Sequence, residues 1–128
     1  MANSKVIGSV GWIDITVDNP TEIRSFYKQV VGWTETAIPM GEYDDHCMNS
    51  PEDGSTYAGI CKAEGANRGL PAHWIIYITV ADLHASAEGV QRLGGKIIHG
   101  PRQIPGQGSY IMIEDPAGAF CALFEHEK

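Results

Sequence analysis

The chain is short of basic residues, has no long apolar run and has no paired cysteines. Lysine and arginine total 9 against 16 aspartates and glutamates, a formal charge of −7. A general nucleic-acid binder needs a basic footprint, and an anionic membrane surface needs a polybasic stretch; the sequence has neither. No apolar run approaches the roughly 20 residues that span a bilayer. Met1-Ala2-Asn3-Ser4-Lys5 lacks the apolar core of a signal peptide. These absences predict a cytoplasmic protein without nucleic-acid or membrane partners. Cys47, Cys61 and Cys121 are odd in number and lack CxxC spacing, which fits reduced thiols better than a disulfide framework. No Ser/His/Asp or Cys/His nucleophile pattern is present. Gly106-Gln107-Gly108 does not follow a strand and open a helix, so it is no phosphate cradle.

What the sequence does hold is a repeat. Trp12-Ile13-Asp14-Ile15-Thr16-Val17 returns as Ile75-Ile76-Tyr77-Ile78-Thr79-Val80, each copy ending in Ile-Thr-Val. Val17 to Val80 and Gly32 to Gly95 are both offset by 63 residues. A repeat that keeps register across strand, helix and glycine decides architecture before other signals do. At 128 residues the chain is sized for one domain with a real core, made of repeats at about 9–62 and 72–127.

Each copy reads the same way. Residues 9–17 alternate, with Ile13, Ile15 and Val17 on one face and Trp12, Asp14 and Thr16 on the other. A helix follows from Asn19-Pro20, with a stripe of Ile23, Phe26, Tyr27, Val30 and Val31 and a stop at Gly32. Strands are expected at 33–38, within 40–49 and at 57–62. In the second copy His73, Ile75, Tyr77 and Thr79 share a strand face. Asp82 caps a helix that ends at Gly94-Gly95. Strands follow at 96–99, 110–114 and 119–125, with 101–108 as a loop carrying a Gly108 hinge. Each half is β-α-β-β-β. The fold class is α+β, the two modules forming one curved mixed sheet, a cup, with helices outside.

On these carriers the chain resembles the vicinal oxygen chelate superfamily of glyoxalases, bleomycin-resistance proteins and dioxygenases. The matching features are the paired β-α-β-β-β plan, Phe26-Tyr27 before Val31-Gly32-Trp33, Leu93-Gly94-Gly95, and Asp115-Pro116-Ala117-Gly118 before the last strand. The resemblance implies a small organic ligand, a homodimer, and a divalent metal held by His or Glu from the first and last strands of each half. The matching positions here are Trp12, Ile75, Ala122, and Gly59 or Ala58, none of which ligates such an ion through its side chain. The expectation is therefore small-molecule binding without that metal and without another cofactor.

The expected ligand-binding residues are Trp12, Thr16, Ile75, Tyr77, Thr79 and Ala122. Asp14 stands between two isoleucines and needs water, a cation or hydrogen-bond donors. It is the candidate general base, with His73 as the second candidate for proton transfer. One alternative is a metal-dependent lyase or dioxygenase with displaced ligands from His46, His73 and Glu125. Another is sequestration of a drug or metabolite, as in resistance-type relatives.

Overall fold

The computed structural model describes residues 4–128. Its elements run β1 (Val10–Val17), α1 (Pro20–Val31), β2 (Thr34–Pro39), β3 (Asp44–Asn49) and β4 (Thr56–Lys62). They continue with β5 (Ile75–Thr79), α2 (Leu83–Arg92), β6 (Lys96–Ile104), β7 (Gly108–Glu114) and β8 (Phe120–His126). The expected β-α-β-β-β order is present twice, and the fold is α+β. The chain divides into two compact units, Ile13–Trp74 and the remainder, which joins residues up to Trp12 with Ile75–Lys128. The division cuts β1 after Trp12.

In the Ile13–Trp74 unit the strand order is β2-β3-β4-β1. β1 and β4 run parallel, with Asp14 aligned to Gly59 and Thr16 to Cys61. β3 is antiparallel to both β4 and β2. The aliphatic face of β1 builds the core as expected. Ile15 and Val17 cluster with Met48, Ala58 and Ile60, and Ile13, Ile23, Tyr27, Trp33 and Trp74 pack against them. Pro20 stands at the helix start, and Gly32 ends the helix at φ 90° with its N–H donating to the Lys28 carbonyl, the left-handed stop that glycine adopts at least cost. Asn19 takes the cap position without a side-chain cap bond. The helix stripe is narrower than its sequence: Ile23 and Tyr27 reach the core, whereas Phe26, Val30 and Val31 are exposed. A two-residue contact face needs only part of a five-residue apolar stripe.

An aromatic cluster closes this core. The Tyr27 ring lies 5.7 Å from Trp33 and 5.3 Å from Trp74. Trp74 Nε1–H donates to the Tyr27 hydroxyl at 3.1 Å. Tyr27→Phe leaves that indole N–H without its acceptor and should cost about 1 kcal/mol. Urea titration checks the value, and a cost that persists unchanged in a Trp74→Phe background would show that this bond is not its source.

The other unit orders its strands β5-β8-β7-β6, with β5 and β8 parallel and the rest antiparallel. Leu83, Ile111 and Ile113 form the core under α2, with Val80, Ala87, Val90 and Leu123 against it. Asp82 accepts from the Ala85 N–H at 3.1 Å, a side-chain N-cap. Two expectations need correction here. β6 continues through Pro101 to Ile104 rather than stopping at His99, with register shifts in its pairing to β7 absorbing the irregularity. Gly108 is the buried first residue of β7, aligned to Ile104 and His126, not a loop hinge.

Candidate functional site

Strand register defines a polar wall in the Ile13–Trp74 unit. Aligned residues on neighbouring strands share a face. Asp14 therefore shares its face with Gly59, and Gly59 with Cys47. Thr16 shares it with Cys61, and Cys47 with Thr36 on β2. Alternation places Asp45 there too. The wall carries carboxylates, hydroxyls and thiols, and Asp14 stands beside a position with no side chain. β1 to β4 hold only two basic residues, His46 and Lys62, and both alternate onto the opposite, helix-side face with Ile60 and Val17. Asp14 is buried, at 7% exposure.

The electrostatics follow from that composition. Burial pushes the Cys61 thiol far above its ordinary range, and the charges of Asp14 and Asp45 push it the same way. Burial likewise raises Cys47, with Asp14 and Asp45 adding to it. These thiols are protonated donors, not nucleophiles. Asp45 accepts from the Lys62 N–H at 2.9 Å. Burial raises its carboxyl above the usual carboxylate range, while the bonds from Lys62 N–H and the Cys61 thiol pull it partly back.

For a carboxylate whose folded pKa lies above its unfolded value, stability is greatest below the unfolded pKa. It is lost as pH rises through the folded one. Ionised Asp45 thus weakens the fold at neutral pH. Asp45→Asn keeps an acceptor for Lys62 and should melt higher than the parent at pH 7, with the gain shrinking as pH falls toward 3.8. Melting curves across that range decide it; an equal or lower midpoint at pH 7 contradicts the cost of burying an ionised Asp45.

The equivalent face of the other unit is apolar and aromatic along its middle, with Thr79 and His126 at one end and His99 and Arg102 on β6 at its edge. Ile75, Tyr77 and Thr79 are all buried on β5. Tyr77 aligns with Ala122 and Thr79 with Phe124, and Met112 and Tyr110 follow on β7. The Tyr77 and Tyr110 rings are 5.7 Å apart. Trp12, in the same unit, is buried at 6% exposure.

The residues at the metal positions implied by the resemblance do not fit a metal. The 63-residue offset carries Asp14 onto Tyr77, so their aligned partners Gly59 and Ala122 are equivalent, which selects Gly59 over Ala58. Trp12, Gly59, Ile75 and Ala122 supply an indole, a hydrogen, a butyl and a methyl group, none a ligand for a divalent ion. Among the described residues no group of three or more His, Cys, Asp or Glu is arranged to hold one.

The displaced-ligand candidates have other positions. His46 lies on the helix-side face of β3, with a buried Nδ1 that lacks a hydrogen-bond partner. Glu125 accepts from the Leu83 N–H at 2.8 Å and so caps the start of α2. His73, expected on the strand face of Ile75, is exposed in a bend before β5 begins. Asp45, Cys47 and Cys61 were missed by sequence reasoning; their shared parity becomes visible only once the β3–β4 register is known. The helix side also carries an open groove of about 740 Å³, lined in part by Asp18, Arg24, Tyr43, His46 and Lys62.

Residues 9–122 match the model of the glyoxalase/bleomycin resistance protein/dioxygenase superfamily. The chain is 29% identical over 118 residues to CFP32 of Mycobacterium tuberculosis, which carries a glyoxylase name; the match covers 92% of this chain and 44% of that one. It is 26% identical over 129 residues to the anthracycline biosynthesis protein DnrV of Streptomyces peucetius, covering 91% and 46%. The chain thus spans less than half the length of these relatives. Among solved structures it resembles methylmalonyl-CoA epimerase from Mycobacterium tuberculosis, with a TM-score of 0.61 at 15% identity, covering 100% and 93%. It also resembles homoprotocatechuate 2,3-dioxygenase from B. fuscum, with a TM-score of 0.59 at 19% identity, covering 95% and 33%. At these identities the structural likeness concerns the fold.

Proposed function

The chain belongs to the glyoxalase/bleomycin resistance protein/dioxygenase superfamily, and from that premise we propose that it binds a small organic molecule against the Asp14 wall, without the superfamily's usual divalent metal. One observation carries this reading: a buried carboxylate stands beside side-chain-free Gly59 on a face that has no basic side chain. Such a wall suits a ligand that presents hydrogen-bond donors, a cationic group or an acidic C–H. Asp14 is then the acceptor that orients the ligand, and the general base if a proton is moved. On the wall itself Thr16 adds a hydroxyl beside Asp14; Trp12, Ile75, Tyr77, Thr79 and Ala122, all in the other unit, are a separate candidate ligand surface of apolar and aromatic groups with one hydroxyl.

The name of DnrV makes planar aromatic metabolites the first chemistry to screen. Ligand turnover would indicate proton transfer, and stable binding without turnover would indicate sequestration. A cytoplasmic homodimer completes the proposal. The location is supported by three free cysteines, which fit a reducing compartment.

The test is a screen of neutral and cationic aromatic metabolites by amide chemical-shift mapping. Hits should move Asp14, Gly59 and Cys47 together. Hits that instead cluster on the helix-side groove near Tyr43 and Lys62 would place binding elsewhere and overturn the assignment.

A further inference from the structure

An oxygen-binding feature lies in the unit that lacks Asp14. The Ser4 carbonyl oxygen is held by the Thr79 hydroxyl at 2.8 Å and by His126 Nε2 at 2.9 Å. A carbonyl only accepts, so both groups donate, and the His126 proton is on Nε2. Thr79 is 3% exposed, and the His126 ring packs against Phe124 at 4.9 Å between centroids. Both donors are thus held in place before any ligand arrives.

The oxygen they hold belongs to a short strap. The Ser9 N–H donates to the Val6 carbonyl at 3.0 Å, closing a turn through Gly8 at φ 87°. Gly8 N–H donates to the Thr79 carbonyl at 2.8 Å, and Thr79 N–H donates to the Ser9 carbonyl at 2.9 Å. The turn folds the chain back so that Ser4 lies over Gly11. A Cβ on Gly11 would stand 3.0 Å from Ser4 O, 3.3 Å from Ser4 N and 3.3 Å from Thr79 Oγ1. An alanine there makes these neighbours give way slightly, and the lightly anchored strap is the one that can. At the turn, Val6 and Ile7 are 70% and 67% exposed. The strap has little apolar anchorage and rests on a few hydrogen bonds, the condition for opening locally at low cost.

We infer that Thr79 and His126 form a two-donor subsite for a carbonyl or carboxylate oxygen of a ligand, and that residues 4–9 are a strap that occupies it until the ligand displaces them. Two fixed donors converging on one oxygen suit that chemistry and offer little to an apolar group or a cation. Thr79 already belongs to a candidate ligand surface, so only the premise that the chain takes a small organic ligand rests on that reading. The subsite's residues lie outside the Asp14 wall, and the two can fail separately.

The test uses the full chain, pyruvate as probe, and nitrogen NMR of the His126 ring and the Gly8 amide. Gly11→Ala should expel the strap, raising Gly8 hydrogen exchange about tenfold, the scale of one or two lost hydrogen bonds. Pyruvate should then shift His126 Nε2 at about tenfold lower concentration than in the parent. Adding Thr79→Val should abolish that gain. A chain lacking residues 1–5 should behave as Gly11→Ala does, without a new side chain near Thr79. The inference is overturned if pyruvate leaves His126 unmoved in both strap-released proteins. It is equally overturned if the parent responds as they do, or if the response survives Thr79→Val.

Discussion

Asp14→Asn should weaken binding of any ligand found on the wall by about tenfold or more, since a charged acceptor contributes about 1.5–3 kcal/mol to a hydrogen bond. If the ligand is turned over, the rate should fall by about 100-fold or more, the usual range for a lost general base. The substitution is nearly isosteric, so calorimetry and melting curves together separate a lost contact from a lost fold. A third readout is independent of the ligand. The Asp14 charge holds the Cys47 and Cys61 thiols upward; removing it should lower both, and Cys47, the less buried of the two, should alkylate faster with iodoacetamide near pH 8. Burial keeps Cys61 slow. Unchanged alkylation would mean that Asp14 does not face the thiols, and unchanged binding would mean that the wall is misassigned.

Gly108→Ala should produce the largest loss of stability. Gly108 sits at φ 152°, buried, at the start of β7. A Cβ there would collide with the Glu125 carbonyl oxygen and lie 2.9 Å from Phe124 Cε1. Phe124 is fully buried, and β7 is aligned residue by residue with β8 from Gly108 to Glu114. Neither backbone nor ring can move without disturbing that pairing. A cost above about 4 kcal/mol is expected, in the range of severe overpacking. Gly118→Ala is the comparison: φ is 86°, but nothing lies within 4 Å of the added carbon, so only the left-handed backbone cost of about 1–2 kcal/mol applies. Urea titration of both measures the difference. Equal losses would show that backbone conformation, not crowding, governs Gly108.

The fold was legible because its signals are local. Alternation around Ile13-Ile15-Val17, a proline at the helix start and a glycine at its end act over a few residues, and the 63-residue offset repeats them. The candidate site was legible only where it shares those strands. Asp14 stood out as a carboxylate among isoleucines. Asp45, Cys47 and Cys61 did not, because their faces depend on the β3–β4 register, which a bulge at Met48/Asn49 interrupts. His73 read as part of a strand because it continues the alternation of Ile75 and Tyr77, yet the strand starts two residues later. Glu125 read as a ligand candidate, but its carboxylate caps α2, a partner 42 residues away. Phe26, Val30 and Val31 read as core because periodicity reports which residues are apolar, not how wide a face the neighbouring sheet covers.

The most direct measurement is a titration of a wall-binding ligand by calorimetry, before and after exhaustive treatment with a metal chelator, on protein whose divalent metal content has been determined. Trp12, Gly59, Ile75 and Ala122 offer no ligand set, so affinity should be the same in both titrations and the metal content well below stoichiometric. One equivalent of bound divalent metal, with binding lost on chelation and restored by the metal, would contradict the metal-independent reading.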